Sequence, residues 1–403
     1  MTGQQDELVR LSQAMRGPDP YAVLADVRER SPLALSDGLV VTGRYAHCSR
    51  LLRHPRASSG WDRARISQGT RPASRNFLML DPPDHTRLRR LVTKAFTPRV
   101  VSRLEPVIQE ETDHLLDEIP GGGQVDVVAD LASPLSMSIV CGLLGVPEAD
   151  QPWLREQAAP LAQQLDPLPL RHNDSPAEVG TVRAGVIRYF AGLVERRRTT
   201  PADDLISHLI AVQADGDQLT PSELISTCIL LLSAGHDTSA GLIGNGVLAM
   251  MTNAGQQELL ANEEDHAPKF VEEVLRYDPP VQLVTRVATA EIDLDGFTVA
   301  KGDLVLMLIG AANRDPEVFP SPDAFDPDRD RTSSHLGFAA GLHFCLGAGL
   351  ARLEAAIALR TIARRLVGPS PHPRGPLRRT TFSLRGPESL PIRVRALRGR
   401  TQR

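Results

Sequence analysis

Lysine is nearly missing from this chain. It stands only at Lys94, Lys269 and Lys301, so arginine carries almost all the positive charge. The formal net charge is −4, and no basic excess argues for nucleic acid or a membrane surface as partner. Cysteine is sparse too. Cys48, Cys141, Cys228 and Cys345 lie far apart with no CxxC pair, which excludes a disulfide framework and a clustered zinc site. The N-terminal stretch MTGQQDELVRLSQAMRG lacks an apolar run. It predicts neither a signal peptide nor a membrane anchor, and hence a cytoplasmic protein. No glycine-rich flavin or nicotinamide fingerprint occurs, so electrons for any redox chemistry would come from outside. No repeat is visible. At 41% apolar, 403 residues can bury one large core or two ordinary ones.

Most of the chain reads as helix with a smaller sheet, a mainly α chain of the α+β class. DPPDHTRLRRLVTKAFTP predicts a helix with Asp84 as N-cap, stopping at Pro98. RVVSRLEPVIQEETDHLLDEI predicts one amphipathic helix ending at Gly121-Gly122-Gly123. Thr220 and Glu223 form a capping box with Pro221 in the first helical position. They open the longest predicted helix, roughly 30 residues and about 45 Å at 1.5 Å per residue. It is apolar almost all round and should cross the core. Strands are predicted near 38–42, 281–289, 291–299 and 303–309 and in LPIRVRAL. Residues 163–179, rich in proline and polar groups, predict a loop, and a mobile lid is expected around 163–185.

Four constellations could carry chemistry. The first is GFAAGLHFCLG, with Phe338, Gly341, His343, Cys345 and Gly347 ahead of a strong helix. A sulfur near a helix N-terminus is favoured as thiolate, the form that binds metal. Gly341 lets the backbone turn, Gly347 leaves room for a bulky planar partner, and Phe338 could shield the sulfur. A buried, inert thiol is the plainer reading of one cysteine alone. The second is SAGHDTSAG, which puts Asp237 and Thr238 inside an apolar helix, where unpaired polar groups cost about 1–3 kcal/mol each. Thr238 could bond the carbonyl four residues back, Gly235 would loosen the ladder, and a locally opened helix would form a proton relay. A helix kink facing buried water is the alternative. In the third, His85 and Arg89 share a helix face that suits an anion or merely solvent. In the fourth, Glu273 and Arg276 share another face as a structural ion pair, with Arg329 as a third member.

Together these stretches resemble the cytochrome P-450 family of haem-thiolate monooxygenases, most closely its soluble bacterial members, over nearly the whole chain. The resemblance implies a single domain spanning 1–403, with haem b between the long helix and the helix after the cysteine loop. FAAGLHFCLG resembles the haem-binding loop, which makes Cys345 the iron ligand. AGHDTS resembles the oxygen-activation motif, with Asp237 and Thr238 supplying protons and Gly235 beside the cofactor. Glu273 and Arg276 match the family's E-x-x-R pair, and ANRDPEVFPSPDAFDPDR resembles the segment packed around it. His85, Arg89, Arg286 and His343 match ligands of the haem propionates. Ala339 and Ala340 depart from the usual glycines, Gly349 from a frequent proline and Ser239 from a second threonine; each is expected to be tolerated.

The implied activity is O2-dependent hydroxylation or epoxidation of a small organic molecule, in secondary-metabolite or antibiotic biosynthesis. Electrons would come from a ferredoxin and its reductase, docking on a basic face near Arg90, Lys94, Arg352 and Arg360. Oxidative coupling without oxygen insertion is an alternative outcome, and a non-catalytic haem sensor or a zinc enzyme are remoter ones. The substrate pocket would draw on 60–80, the lid, Ile229 to Thr238, Val281 to Val284 and Thr381 to Ser383. Arg63, Arg65, Arg71 and Arg75 would either greet an anionic substrate or carrier protein or form a solvated loop.

Overall fold

The computed structural model describes residues 2–36, 38–60, 76–162, 176–212, 217–330, 335–379 and 381–400, without the side chains of 2–6, 159, 162 and 176–179. Its axis is the central helix Pro221–Thr252, 32 residues long and opened by the expected capping box: Glu223 N–H donates to Thr220 Oγ1, and Thr220 N–H to Glu223. Leu224, Cys228, Leu232, Leu242, Ile243 and Val247 are buried at different points round this helix, which packs against Ser133–Leu144, Gln151–Ala162, Pro176–Thr199 and Ala348–Arg365. The segment Val127–Leu144 is apolar and long enough to cross a membrane, yet 67% of it is buried inside the protein, so its apolar surface is spent on the core.

The main sheet runs, edge to edge, Leu33–Ser36, Leu39–Thr42, Leu304–Leu308, Leu283–Ala288 and Ala57–Ser58. Leu39–Thr42 pairs parallel with Leu304–Leu308, and the other pairings are antiparallel. The predicted strand near 291–299 is a hairpin, Ile292–Leu294 with Phe297–Val299. LPIRVRAL supplies Pro391–Val394 and Ala396–Leu397 to two different sheets.

Three expectations are corrected. Asp84 is the first residue of helix Asp84–Ala95, not its cap; the cap position is Pro83, which offers no side-chain acceptor. The single helix expected from 99 to 119 is two, Pro98–Ser102 and Glu105–Asp117. Pro106 explains the break: it lacks an N–H for a preceding turn but suits the start of a new helix. Of the expected lid, 163–175 lies outside the described residues, and from Pro176 the chain is already helical to Thr199.

The Glu273–Arg276 pair is buried, with side-chain exposures of 4% and 3%. Arg276 donates Nε and Nη2 to the two carboxylate oxygens at 2.8 and 2.7 Å, and Nη1 and Nη2 reach the carbonyls of Asn313, Pro322 and Ala324. Arg329 joins at 3.5 Å, and Asp326 N–H donates to the same carboxylate. Asn313 then donates Nδ2 to Leu275 O and accepts Leu336 N–H at 2.7 Å. The ion pair therefore anchors the segment that begins the cysteine loop. Glu273→Ala would leave two guanidiniums buried without their acid. We expect a loss of about 3–5 kcal/mol in urea unfolding, and a loss within the error of a surface substitution would contradict the bracing role.

Candidate functional site

One large cavity, ≈ 340 Å³, lies between the central helix and the cysteine loop. Cys345 lines it from one side and Gly235, Thr238 and Ser239 from the other. The loop is held by its backbone. Cys345 N–H donates to Phe338 O at 3.0 Å, and Gly341 sits at φ +68, where a Cβ would lie 2.7 Å from Leu52 O. Glycine at 341 is therefore required both by conformation and by space. Ala339 occupies φ +57. An L-residue there costs roughly 1–2 kcal/mol, so the departure from glycine is accommodated at the expense of strain. Ala340 is extended at φ −155 and carries no such cost. Helix Ala348–Arg365 runs through Gly349, so that departure is accommodated too.

Cys345 lies two residues before Gly347, the cap of helix Ala348–Arg365. Burial pushes its thiol up from the ordinary value, while the Gly347 N–H, Arg89 and Arg352 pull the other way. Cys345 is deep in the protein yet exposed on the cavity side, where a metal cation would favour its thiolate. A Cβ on Gly347 would meet only the Cys345 sulfur, at 4.0 Å, so the space beside the sulfur is kept clear. Phe338 is buried next to it and is covered by Arg352, whose guanidinium lies 4.5 Å from the ring centroid.

The four expected cationic donors do converge. The rings of His85 and His343 are 4.2 Å apart. Arg89 donates Nη2 to Phe344 O at 2.6 Å, and Arg286 donates to Thr285 O. Burial, then Arg286, His85 and Arg89, drive His343 down to about 3. Burial lowers His85 and Arg89 and takes Arg286 to about 10. Both ring nitrogens of His85 are buried without a partner. Buried donors clustered this way imply an anionic ligand at this edge of the cavity. Two carboxylates on a flat macrocycle meet the requirement, so the residues present fit haem.

On the opposite wall the central helix remains α-helical throughout, so the expected local opening does not occur. Thr238 donates Oγ1 to Ala234 O at 2.5 Å, the predicted back-bond. A Cβ at Gly235 would approach Val140 at 3.2 Å, which gives this glycine a packing reason. Asp237 is not beside Thr238 in the cavity wall. Its Oδ1 accepts Arg379 Nη1 at 2.5 Å, and its Oδ2 is buried without a partner.

The wall of Phe96, Ile139, Val140 and Leu143, and two charged residues in or beside the site, were not found from sequence. Glu354, on Ala348–Arg365, lines the cavity and accepts Ser136 Oγ at 2.7 Å; burial raises it to about 7. Its signal was available, since an acid at 354 lies in line with buried Ala358 and Ile362 on one helix face. Arg379 had none, being 142 positions from its partner. Of the expected basic face, Arg352 is ion-paired with Glu272 at 2.6 Å and Arg360 with Glu264 at 3.6 Å. Arg63, Arg65, Arg71 and Arg75 lie outside the described residues, as does 61–75 of the expected pocket.

Residues 34–367 match the Cytochrome P450 family profile. Vitamin D(3) 25-hydroxylase of Pseudonocardia autotrophica is 40% identical over 353 residues, 85% of each chain. The 6-deoxyerythronolide B hydroxylase of Saccharopolyspora erythraea is 39% identical over 317 residues, 78% of this chain and 76% of that protein. The ligand-free structure of Mycobacterium smegmatis CYP164A2 superposes with a TM-score of 0.90 at 44% identity, covering 97% of this chain and 100% of that one. The chain belongs to the cytochrome P450 family and is a haem b monooxygenase.

Proposed function

We propose that this monooxygenase hydroxylates or epoxidises a neutral, largely aliphatic small molecule of secondary metabolism, with electrons from an external ferredoxin and its reductase. The reading rests above all on one observation: the Cys345 sulfur and the Thr238 hydroxyl face a single cavity from opposite sides. Thiolate-ligated haem supplies dioxygen cleavage and oxidation of an unactivated carbon. Cys345 would be its iron ligand. His85, Arg89, Arg286 and His343 would neutralise its propionates, and Phe338 and Gly347 would keep the sulfur dry and approachable.

The substrate side of the cavity supports the neutral, aliphatic class. Among the described residues, the ionisable side chains lining it are Arg89, Arg286, His343, Cys345 and Glu354, all grouped at the cofactor edge or on the helix after the loop. The rest is mainly aliphatic, with Leu230, Leu231, Val281, Val284 and Leu384. A charged group there would be desolvated without a partner. Hydroxylase relatives agree with this outcome.

Thr238 gives its proton to Ala234 O, so its oxygen is the atom free to accept from water in the cavity. It would thereby position a water in the cavity, with Asp237, the preceding residue of the helix, as proton source once it turns from Arg379. Thr238→Ala should lower product formed per electron consumed about tenfold or more, the electrons appearing as hydrogen peroxide; unchanged coupling would contradict the relay. Glu354, held near 7, is a buried acid whose protonated form the fold favours. Its value in an unfolded chain is 4.5, so wild-type stability falls as pH rises from there and the loss is complete above about 7. The melting-temperature gain of Glu354→Gln over wild type should therefore grow across that window and then level off. A gain independent of pH would contradict it.

The test of the reaction class is isotopic. Ligands that displace the haem-bound water are turned over under labelled dioxygen with a ferredoxin system. One labelled oxygen in the product supports insertion, whereas a coupled product without label overturns it.

A further inference from the structure

Two serines stand side by side at the edge of the main sheet, and their hydroxyls are treated differently. Ser58 ends the strand Ala57–Ser58 and pairs with Val287, the residue after Arg286. Its Oγ donates to Asp81 and accepts the Gly60 N–H at 3.0 Å. Ser59 gives its backbone N–H to the other oxygen of Asp81 at 2.9 Å. Its hydroxyl has no such use. Ser59 is 3% exposed, and its Oγ has no hydrogen-bond partner among the described residues. Ser59 lines the cavity and Ser58 does not, as the alternation of an extended chain requires. A buried hydroxyl left unpaired is unfavourable unless a ligand completes it.

Asp81 fixes where that hydroxyl stands. Its backbone O also accepts His85 N–H at 3.0 Å, at the start of the helix Asp84–Ala95 that carries His85 and Arg89. One residue therefore ties this helix to Ser58, whose strand lies beside the strand of Arg286. Ser59 is held at the edge where those donors meet. His85 shares its deficit, with both ring nitrogens buried and unpartnered. Among the described residues, Asp81 is the acid whose charge acts on His85 and Arg286, and both its oxygens are already engaged by Ser58 and Ser59. Arg89 and Arg286 are donors only. The Ser59 proton thus lacks an acceptor in a place crowded with cations.

We propose that Ser59 is a further hydrogen-bond donor to a haem propionate, set in place by Asp81 through the serine's own N–H. The proposal rests on the reading above that the propionates lie at this edge. A propionate oxygen accepts the proton that Asp81 leaves unused, next to the charges that neutralise it. The bond runs from a neutral donor to an anionic acceptor, so it fixes the carboxylate without adding charge to the cluster. Ser58 is the internal comparison: the same side chain one position earlier spends its proton on Asp81 and has none for a ligand. Asp81 is the positioning residue, and Ser59 is the one that touches the cofactor.

The test uses the haem-loaded, substrate-free protein. It reads the propionate bending band of the resonance Raman spectrum, together with the rate of haem transfer to apomyoglobin. Ser59→Ala should shift the band and speed transfer about fivefold or more. Ser59→Thr keeps the hydroxyl and should return the band to its wild-type position. Should Ser59→Ala hold too little haem, Ser59→Cys, a weaker donor of similar size, should shift the band the same way. Arg286→Lys is the control for the edge itself and should also move the band. The band decides: if Ser59→Ala leaves it in place while Arg286→Lys moves it, the proposal is overturned, whatever the transfer rate does. An unmoved band with weakened binding of hydroxylated ligands would assign the hydroxyl to substrate instead, and likewise overturns it. A band that neither variant moves would bring down the placement of the propionates, and the proposal with it.

Discussion

Four interior donors with a single nearby acid, Asp81, are the constraint on which this site is built. His85, Arg89, Arg286 and His343 meet at one edge of the cavity, and their desolvation is severe enough to take His343 to about 3 and Arg286 to about 10. Such a cluster is unfavourable in the protein alone. It becomes favourable when a ligand brings two carboxylates, and the same ligand must then lie flat against the Cys345 sulfur. The cavity, the clear space at Gly347 and the buttress of Phe338 all follow from that one requirement.

The frame around the site exists to keep that sulfur in place. A buried carboxylate, Glu273, holds Arg276 and Arg329, and these collect the carbonyls of the segment from Asn313 to Ala324. Asn313 carries the order on to Leu336, where the cysteine loop starts. Buried charge also lies elsewhere, at Arg314, Arg365 and Arg385 for example, but the cavity wall away from the cofactor edge is largely aliphatic. Beside the middle of the central helix, Asp237 pairs with Arg379 and Glu354 accepts from Ser136.

Features whose physics is local could be read from the sequence. The capping box at Thr220, the glycine turn at Gly341, the i,i+3 pair Glu273–Arg276 and the back-bond of Thr238 each depend on neighbours within a few residues. The cofactor edge was legible because a resemblance joined His85, Arg89, Arg286 and His343, which spacing alone could not. Arg379 was not legible: nothing near 379 says that a hairpin will bring it to residue 237. The break at Pro106 is masked by an apolar period that continues across it, and at 83–84 the N-cap preference of aspartate points to Asp84 rather than to Pro83.

The bond from Cys345 to haem iron is tested most directly by the optical spectrum of the reduced, haem-loaded protein under carbon monoxide. The account predicts the strongly red-shifted Soret band of thiolate ligation, lost in Cys345→Ser. An unshifted band in the wild-type protein, or the same shifted band in the serine variant, would contradict it.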